Sequence, residues 1–456
     1  MAISFRAEAL QPRLPTARDP DHRRRPFIGL FCTAQLLMVV MNLGRIPVLS
    51  TGERDIPVAF NEICLGVMLA GALLAVRNWR EVRIDAVTVA CMTFALIGAG
   101  SALWSVQRFD LTALQIVVSL SYLARWVLYF FLYVALINVL EPIDAERAWG
   151  AIETMLLVFA IFGIIQAAFL PGFAQMVYPD DGNATWDRQG HRLVSTALDP
   201  NIAGALLVTG FLVQVGRLAM NADVKWWKML IMLAAIVLTL SRSAMAGLVV
   251  GLAFVLVLRR PTRRLVRWAA LFGALFLLAA PFLVQYALAF NKFSFNSGST
   301  ASIRLITWLQ AIRVIVDHPV FGIGFNAYRY ALDYYGIAYF GISSYTVDGG
   351  LLFVLAMTGV VGLAVYLVVL WLVLARCRVV WRDASATAAE RGMAVGIAAS
   401  LIGVIVTSVF INALLTNFVM EVLWVLWALV FVYDRGRRAR RPRLAESPVR
   451  LVPMAA

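Results

Sequence analysis

The residues best suited to chemistry in this 456-residue chain are concentrated in one polar stretch, 290–348. It contains the cations Arg304 and Arg313, then His318 followed by a glycine-rich run, and Asp348 at its end. Arginine can donate two parallel hydrogen bonds to a phosphate, and histidine and aspartate can accept a proton as general bases. Titratable and glycine-rich residues on a long loop are typical of a functional site, so this stretch is the first candidate.

The pattern over 301–317 predicts a helix, because apolar and aromatic residues recur at helical spacing. Arg313 lies opposite a stripe that contains Arg304, Trp308, Ala311 and Ile315. His318 would continue this stripe, although Pro319 biases it away from helical geometry. We therefore expect Arg304 and His318 to face one site, from a helix and from the turn that ends it.

His318 and Asp348 each have two interpretations, and the glycines of the stretch have one expected role. His318 is either a general base, with an ordinary pKa near neutrality, or a hydrogen-bonded loop residue. Asp348 is either a base whose pKa partial burial raises, or the N-cap of the next helix. Gly322 and Gly324 predict a close approach of the backbone to a ligand. The sequence leaves these alternatives open.

Two arginines elsewhere in the chain have the chemistry of a phosphate ligand. Arg242 lies between two apolar segments, and its neighbours Ser241 and Ser243 are small enough to let a ligand approach. A charge at membrane level usually faces a cavity or a partner, although a long side chain can also reach the surface. Arg192 opens a short run that ends at Asn201, which we expect to cap the following helix. Alone, Arg192 could equally be a solvated loop residue.

The elements that must position these residues are membrane-spanning helices. The chain is 61% hydrophobic and only 14% charged, with a mean hydropathy of +0.81, which excludes an ordinary soluble globule. Apolar windows of ~20 residues, the length that crosses a bilayer as helix, recur throughout. Twelve such spans are predicted, at 26–44, 56–76, 86–106, 116–140, 150–171, 201–219, 227–241, 243–259, 267–289, 349–375, 392–412 and 415–433. The predicted fold class is all-α, a polytopic membrane protein.

The net charge of +14 is distributed as membrane topology requires. Basic blocks at 23–25, 259–267 and 435–443 all fall on one side when both termini are cytoplasmic, which is the positive-inside pattern. The loop between spans nine and ten, 290–348, then lies outside, as does the loop 171–201. A site there has no access to the ATP of the cell. No basic surface motif points to nucleic acid, and Arg125 is the clearest charge within a span.

The predicted organisation is one transmembrane domain, 26–433, between a disordered cytoplasmic tail, 1–25, and a basic cytoplasmic tail, 434–456. The first helix is expected to remain uncleaved, because no clear small-residue cleavage site follows it. We expect surface charges at Asp180, Asp181 and Asp187. The tyrosines of the long loop indicate either an interfacial aromatic belt or a stacking surface for sugar rings; they are Tyr328, Tyr330, Tyr334, Tyr335, Tyr339 and Tyr345.

The cysteines and histidines predict neither a metal site nor a disulfide framework. The four cysteines have no paired spacing and lie in or beside spans, where they are expected to serve packing. With three histidines and no cysteine cluster, a zinc site is not expected. We expect neither a metal nor another cofactor.

Several short motifs, taken in order, resemble the bacterial O-antigen ligase and polymerase superfamily. They are Arg192 with Leu198-Asp199-Pro200-Asn201, Leu240-Ser241-Arg242-Ser243, Arg304 with Trp308, His318-Pro319 with Gly322-Ile323-Gly324, and Asp348 with Gly359-Val360-Val361-Gly362. The motifs cover spans five to ten. The resemblance implies transfer of a glycan from a polyprenyl-pyrophosphate carrier at the periplasmic face of the inner membrane. It also implies that neither a metal nor a nucleotide sugar takes part.

The resemblance assigns a role to three residues: Arg192, Arg242 and Arg304 would hold the donor pyrophosphate. We expect Asp348 or His318 to activate the acceptor hydroxyl. Ligases of this family carry a histidine about ten residues before a Gly-x-x-Gly motif, and here that position holds Asp348. This difference favours a polymerase of O-antigen or exopolysaccharide repeat units.

Two alternatives to the polymerase remain. One is a ligase that transfers glycan to lipid A-core, and the other is a glycolipid transporter or flippase. The expected partners are the lipid-linked donor, a glycan or lipid A-core acceptor, membrane lipids, and a flippase and chain-length regulator. No nucleic acid is expected.

Overall fold

The computed structural model describes residues 21–43, 45–50, 55–76, 82–178, 192–258, 267, 270, 300–337 and 347–445. These parts are predominantly helical. The helices are α1 (Asp21–Leu37), α2 (Phe60–Ala75), α3 (Ala86–Phe109), α4 (Ala113–Val139), α5 (Pro142–Phe169), α6 (Phe173–Val177), α7 (Pro200–Ala219), α8 (Trp226–Leu238), α9 (Arg242–Leu258), α10 (Thr300–Asp317), α11 (Tyr328–Tyr334), α12 (Gly350–Arg382), α13 (Ala388–Thr407) and α14 (Asn417–Ala445). Short 3₁₀ segments occupy Met38–Leu43, Ser195–Ala197 and Ala413–Leu415.

Eight helical segments within the described residues are long and apolar enough to cross a membrane. They are Arg25–Leu43, Ala86–Phe109, Ala113–Val139, Pro142–Phe169, Pro200–Ala219, Gly350–Arg382, Ala388–Thr407 and Asn417–Arg440. Three shorter apolar helices, α2, α8 and α9, coincide with the second, seventh and eighth predicted spans. A helix rises ~1.5 Å per residue, so each of these covers less than the ~30 Å hydrocarbon core. The chain is a multi-pass membrane protein, and the number twelve stays a prediction.

Several predicted segments lie outside the described residues. They include the ninth span, 267–289, apart from two of its positions, most of the N-terminal tail and the last part of the C-terminal tail, 446–456. The surface charges expected at Asp180, Asp181 and Asp187 lie outside as well, as do Tyr339 and Tyr345.

One short pair of strands lies among the helices. Strands β1 (Arg45–Ser50) and β2 (Asp55–Ala59) pair antiparallel, with Arg45 opposite Ala59. The all-α class holds for the fold as a whole, but the helical start predicted for the second span at residue 56 is wrong. Pro57 cannot donate the backbone hydrogen bond that a helix interior needs, and the neighbouring Ile and Val residues favour extended backbone. Helix α2 therefore begins only at Phe60.

Close helix packing at the centre of the protein depends on glycines that face one another. Helix α7 is buried along its length between α9 and α13. A Cβ atom on Gly216 of α7 would lie 2.2 Å from the backbone nitrogen of Gly396 on α13, and one on Gly247 of α9 would lie 2.5 Å from the carbonyl oxygen of Gly403. Small residues at such crossings let helix backbones come into contact, which favours association within a membrane. Near the helix starts, a Cβ atom on Gly204 of α7 would lie 2.6 Å from the Cβ of Ala244 on α9, so the starts of α7 and α9 lie side by side.

Helix α12 is broken at Gly359, whose φ of 65° and ψ of −171° are not helical. Beyond the break, Val360 N–H donates to the carbonyl of Pro319 at 2.8 Å instead of to the preceding helical turn. In exchange, the freed carbonyls of Ala356 and Met357 accept from the N–H groups of Ile323 and Gly324, at 2.9 and 3.0 Å. The loop after α10 thus replaces the backbone partners that the break removes, as buried polar groups require.

The glycines of this loop allow that exchange of backbone hydrogen bonds, because they let the loop approach the helices closely. Gly322 and Gly324 have φ of 69° and 103°, and their Cβ atoms would lie 2.5 Å from the Met357 backbone and 2.6 Å from Ser105. The expectation that they bring backbone close to a ligand is therefore not met. They bring it close to α12 and α3. We call the segment Pro319–Gly324 with the Gly359 break the backbone joint.

Candidate functional site

One face of α10 places a cation beside a carboxylate. Arg304 Nε lies 3.4 Å from Asp348 Oδ2, and both side chains are mostly buried. Trp308, one turn along the same face, donates its indole N–H to the Asp348 carbonyl at 2.6 Å. The stripe predicted for this helix is thus the face that contacts the start of α12.

Asp348 does not cap the following helix, because Gly349 occupies the N-cap position. Its carboxylate is directed to Arg304 instead. The capping alternative is excluded for the side chain by this geometry. Asp348 is held by two contacts from one helix face, an ion pair and a backbone hydrogen bond.

The starts of helices α7 and α9 lie beside Arg304 and Asp348. Asp199 caps α7, its Oδ1 accepting from the N–H groups of Asn201 at 2.6 Å and Ile202 at 3.0 Å. The cap expected at Asn201 is therefore placed too late; its side chain instead accepts from Ser241 Oγ at 2.9 Å. That hydrogen bond joins the start of α7 to the turn before α9, where Arg242 is the first helical residue.

Arg192 is buried and is anchored at the end of α8. Its Nε donates to the Thr239 carbonyl at 2.9 Å, and its own carbonyl accepts from the Gln166 side-chain amide at 3.3 Å. The oxygen of the same amide accepts from the N–H groups of Val194 and Ser195. A solvated position, the alternative for Arg192, is excluded. The segment that carries it is fixed against α5 and α8.

Electrostatic coupling connects these groups into one cluster. Asp199 interacts with Arg192 and Arg304, Arg242 interacts with Arg304, and Asp348 interacts with both Arg304 and Asp199. We call these five residues the arginine cluster. Among the described residues, three cations and two carboxyls meet where α7, α9 and α12 begin, so within these five residues the cations outnumber the carboxyls. Arginines placed near one another favour an anion between them, since it relieves their mutual repulsion.

The two carboxyls of the arginine cluster have raised pKa values. Burial is the largest cause for Asp348 and outweighs the opposing effect of Arg304, while Asp199 raises the pKa further. Burial likewise raises the pKa of Asp199, against its two backbone hydrogen bonds and the neighbouring arginines. A carboxylate that takes up a proton more readily than usual is better suited to general base chemistry near neutral pH.

His318 lies away from the arginine cluster. It follows the last residue of α10, so the helix separates it from Arg304 by about 21 Å along the axis. Its ring lies edge-on to Phe109, 5.7 Å between centroids, and its Nε2 is 3.1 Å from the Tyr335 hydroxyl. Burial and then Arg108 lower the pKa of His318, against the effect of Asp317. The expectation that Arg304 and His318 face one site is therefore wrong.

The sequence interpretation missed polar contacts within the spans. Arg125 pairs with Glu62 at 2.5 Å, and Asn417 donates to the same carboxylate at 2.8 Å. Glu421 accepts from Gln35 at 3.1 Å, and both side chains are buried. Single glutamates and amides in apolar windows give no periodic signal, because each partner comes from a different helix.

No group of three histidine, cysteine, aspartate or glutamate side chains within the described residues is arranged to hold a metal ion. The charge available to a ligand in the arginine cluster comes from arginine. The cluster thus has the composition of a site for an anionic group with a carboxylate beside it.

The described residues form a multi-pass membrane protein in which three arginines and two carboxyls cluster where helices begin. Residues 228–367, about a third of the chain, match the family model described as O-antigen ligase. This match is consistent with the resemblance to the O-antigen ligase and polymerase superfamily. The matched segment contains Arg242, Arg304, His318 and Asp348, while Arg192 precedes it. No curated protein matched the chain.

Proposed function

We propose that this protein is a glycosyltransferase that joins oligosaccharide repeat units carried on polyprenyl pyrophosphate. The reaction is proposed to occur at the periplasmic face of the bacterial inner membrane, with both chain termini in the cytoplasm. The product would be O-antigen or exopolysaccharide. Members of the matched family are glycosyltransferase-like enzymes, which supports this class of reaction.

One observation carries the proposal, namely that Arg192, Arg242 and Arg304 are coupled through one another to the carboxyls of Asp199 and Asp348. A departing pyrophosphate develops negative charge, and preorganised donors stabilise that charge most strongly in a site shielded from water. Arg304 also forms the ion pair with Asp348, so one residue connects the anion site to the candidate base.

In the proposed reaction, Asp348 takes the proton of an acceptor sugar hydroxyl. The hydroxyl oxygen forms a bond to the anomeric carbon of the donor as the bond from that carbon to the pyrophosphate oxygen breaks. The electron pair of the broken bond stays on the pyrophosphate, which the three arginines hold. His318, the other candidate base, lies too far from Arg304 to act on the same bond, so we assign the base to Asp348.

Asp348 stands where the ligases of this family carry a histidine, and for that reason we favour the polymerase. The ligase is the first alternative, since the matched family model bears that description. It differs in the acceptor, which would be lipid A-core in place of a second lipid-linked repeat unit. A flippase and a chain-length regulator are the proposed partners of the polymerase.

A glycolipid transporter is the second alternative, and the charges within spans favour it. Arg125 with Glu62, together with Glu421, lie in three different helices. Turnover separates the two functions. Purified protein that converts lipid-linked donor in detergent would exclude pure transport, whereas donor movement across vesicles without conversion would contradict the enzyme.

The product of a deletion strain separates polymerase from ligase. Loss of the polymerase leaves single repeat units on the cell surface, and loss of the ligase leaves long polymer that is not attached to lipid A-core. A gel of surface polysaccharide reads this difference. Reintroduced Arg242→Ala is expected not to restore polymer, whereas Arg313→Ala, on the exposed face of α10, is expected to restore it. Full restoration by Arg242→Ala would contradict the role of Arg242.

Metal independence is part of the proposal. Conversion of lipid-linked donor by purified protein is expected to be unchanged by EDTA, because arginines supply the positive charge that stabilises the pyrophosphate. Loss of turnover in EDTA, restored by added divalent cation, would contradict this assignment.

A further inference from the structure

Helix α10 has a second face, which the proposed function does not use. Leu305, Leu309, Ile312 and Val316 recur at intervals of three and four residues and point away from the protein. They are between 48% and 70% exposed. On a helix these four positions fall within an arc of roughly 60°. A soluble surface rarely presents such a row of large apolar side chains without a partner, so this apolar stripe must be covered.

Charged residues border the stripe on one edge. Arg313 and Asp317 are exposed and follow the stripe around the helix, next to Ile306. The other edge of the stripe borders Arg304 and Trp308, which contact Asp348. An apolar strip flanked by charge is typical of a helix that lies in the interface of a membrane. Helix α10 is not among the segments apolar enough to span, which agrees with a position along the membrane surface.

The stripe continues into the lipid-facing surface of two spans. Val320 and Phe321 follow it in sequence and are 50% and 56% exposed. Their carbonyls accept from α12 and α3, through Val361 N–H at 3.3 Å and Ser101 Oγ at 2.7 Å. Close to these contacts, exposed apolar side chains belong to the spans themselves: Val360 and Val361 on α12, and Leu103 and Trp104 on α3. Exposed apolar residues on membrane spans face acyl chains, and the stripe is continuous with them.

We propose that the apolar stripe of α10 docks on the acyl chains of the bilayer leaflet nearest the arginine cluster. Helix α10 is then an interfacial helix whose outer face contacts lipid and whose inner face holds Asp348. The lipid contact fixes the depth of Arg304, because the helix cannot move away from the bilayer without exposing its stripe. This inference does not depend on which reaction the protein catalyses.

Spin labels in reconstituted vesicles test the docking directly. The native cysteines are replaced, and one label at a time is attached through Leu305→Cys, Leu309→Cys, Ile312→Cys or Val316→Cys. Arg313→Cys and Asp317→Cys are the matched controls on the charged edge of the same helix. Collision rates with oxygen, which concentrates among acyl chains, and with a water-soluble nickel chelate are then compared in phosphatidylethanolamine–phosphatidylglycerol vesicles.

The expected result is a ratio of oxygen to nickel collisions that is severalfold higher along the stripe than at the two control positions. Nickel access equal at all six positions would show a helix in water and would overturn the proposal. Low access to both reagents, with dipolar broadening between labels, would show that a second copy of the chain covers the stripe and would overturn it as well.

Two features keep the experiment interpretable. If removal of all four cysteines lowers expression, replacement of Cys32 alone suffices, since Cys64, Cys91 and Cys377 are buried and poorly reactive towards the label. The labels report position without any enzyme assay, so a failed glycosyltransferase hypothesis leaves their result unchanged.

Discussion

Each end of α10 carries a candidate site residue, but in the structure the two ends contact different groups. At its start, Arg304 pairs with Asp348 among two further arginines. At its end, the segment after His318 is hydrogen-bonded to the broken helix α12. The first end gathers charge from distant parts of the chain, whereas the second satisfies backbone groups. Titratable and glycine residues on a loop can therefore indicate either a functional site or a set of backbone hydrogen bonds that replaces those of a broken helix.

The two ends also differ in whether a ligand could bind there. The arginine cluster has an excess of positive charge that an anion would balance. In the backbone joint, the N–H groups of Ile323 and Gly324 are occupied by α12 carbonyls, and a ligand would have to displace them. Substitutions at the joint are thus expected to affect folding, and substitutions at the cluster to affect turnover.

The largest effect is expected at the joint itself. In Gly359→Ala, the new Cβ would lie 2.1 Å from the Val320 carbonyl oxygen, on backbone that already has a positive φ. We expect a loss of about 3 kcal/mol or more of stability, and therefore little folded protein. Size-exclusion chromatography in detergent and thermal melting measure this.

Gly336→Ala is the matched control, because Gly336 also has a positive φ but meets no atom within 4 Å. It should lose only the ~1 kcal/mol typical of strained backbone. Equal losses in both variants would show that the φ angle, and not the joint, sets the requirement for glycine.

The next effect is expected at Arg304. Arg304→Ala removes a donor to the pyrophosphate and the partner of Asp348, and we expect turnover to fall by about 10²- to 10³-fold with the protein still folded. Arg304→Lys should recover part of this, since it keeps the charge but not the planar fork. Turnover of lipid-linked donor by purified protein is the measurement. Arg313→Ala is the control, and a loss equal to that of Arg304→Ala would contradict a specific role.

A smaller but diagnostic effect is expected at Asp348. Because its pKa is raised above the ordinary value of 3.8, turnover should fall as the pH is lowered through that raised pKa, where the carboxylate becomes protonated. Asp348→Asn should lose turnover by ~10²-fold, the lower end of what a general base contributes, and lose this acidic limb. A pH–rate profile tests both. An unchanged limb in Asp348→Asn would assign the titration to another group.

The smallest effect is expected at His318. Its distance from Arg304 places it beyond reach of the proposed reaction, so His318→Gln should change turnover by less than about threefold. Its hydrogen bond to Tyr335 predicts a modest loss of thermal stability instead, which Tyr335→Phe should match. A loss of turnover as large as that of Asp348→Asn would return His318 to the candidate bases.

Part of this comparison follows from the amino-acid sequence. The helix pattern over 301–317 already implies the separation of Arg304 from His318. At ~1.5 Å per residue the two lie about 21 Å apart along the helix axis, which is more than one site spans. The stripe that the two residues share does not show this separation, because residues on one helix face can still be far apart along the axis. The inner and outer faces of α10 also follow from the pattern, although what each contacts does not.

Other features lie beyond the sequence for a physical reason. The exchange of backbone partners at Gly359 joins residues far apart in the chain, and no local propensity encodes it. Asp199 is visible as Asp before Pro, a common start of a helix, yet its place beside Arg304 depends on how α7 packs. Strand β2 differs from these features, because Pro57 and its β-branched neighbours disfavour a helix there locally, whereas hydropathy alone does not report backbone conformation.

The sequence by itself determined that this chain enters the membrane many times, since hydrophobic length acts locally and needs no partner. It also determined which arginines were unusual, because a charge within or beside an apolar segment is costly wherever the fold places it. Only the tertiary structure decided which of them meet. Helices α7 and α9 begin side by side because Gly204 lets them pack closely against Ala244, and the tertiary packing brings Asp348 beside Arg304.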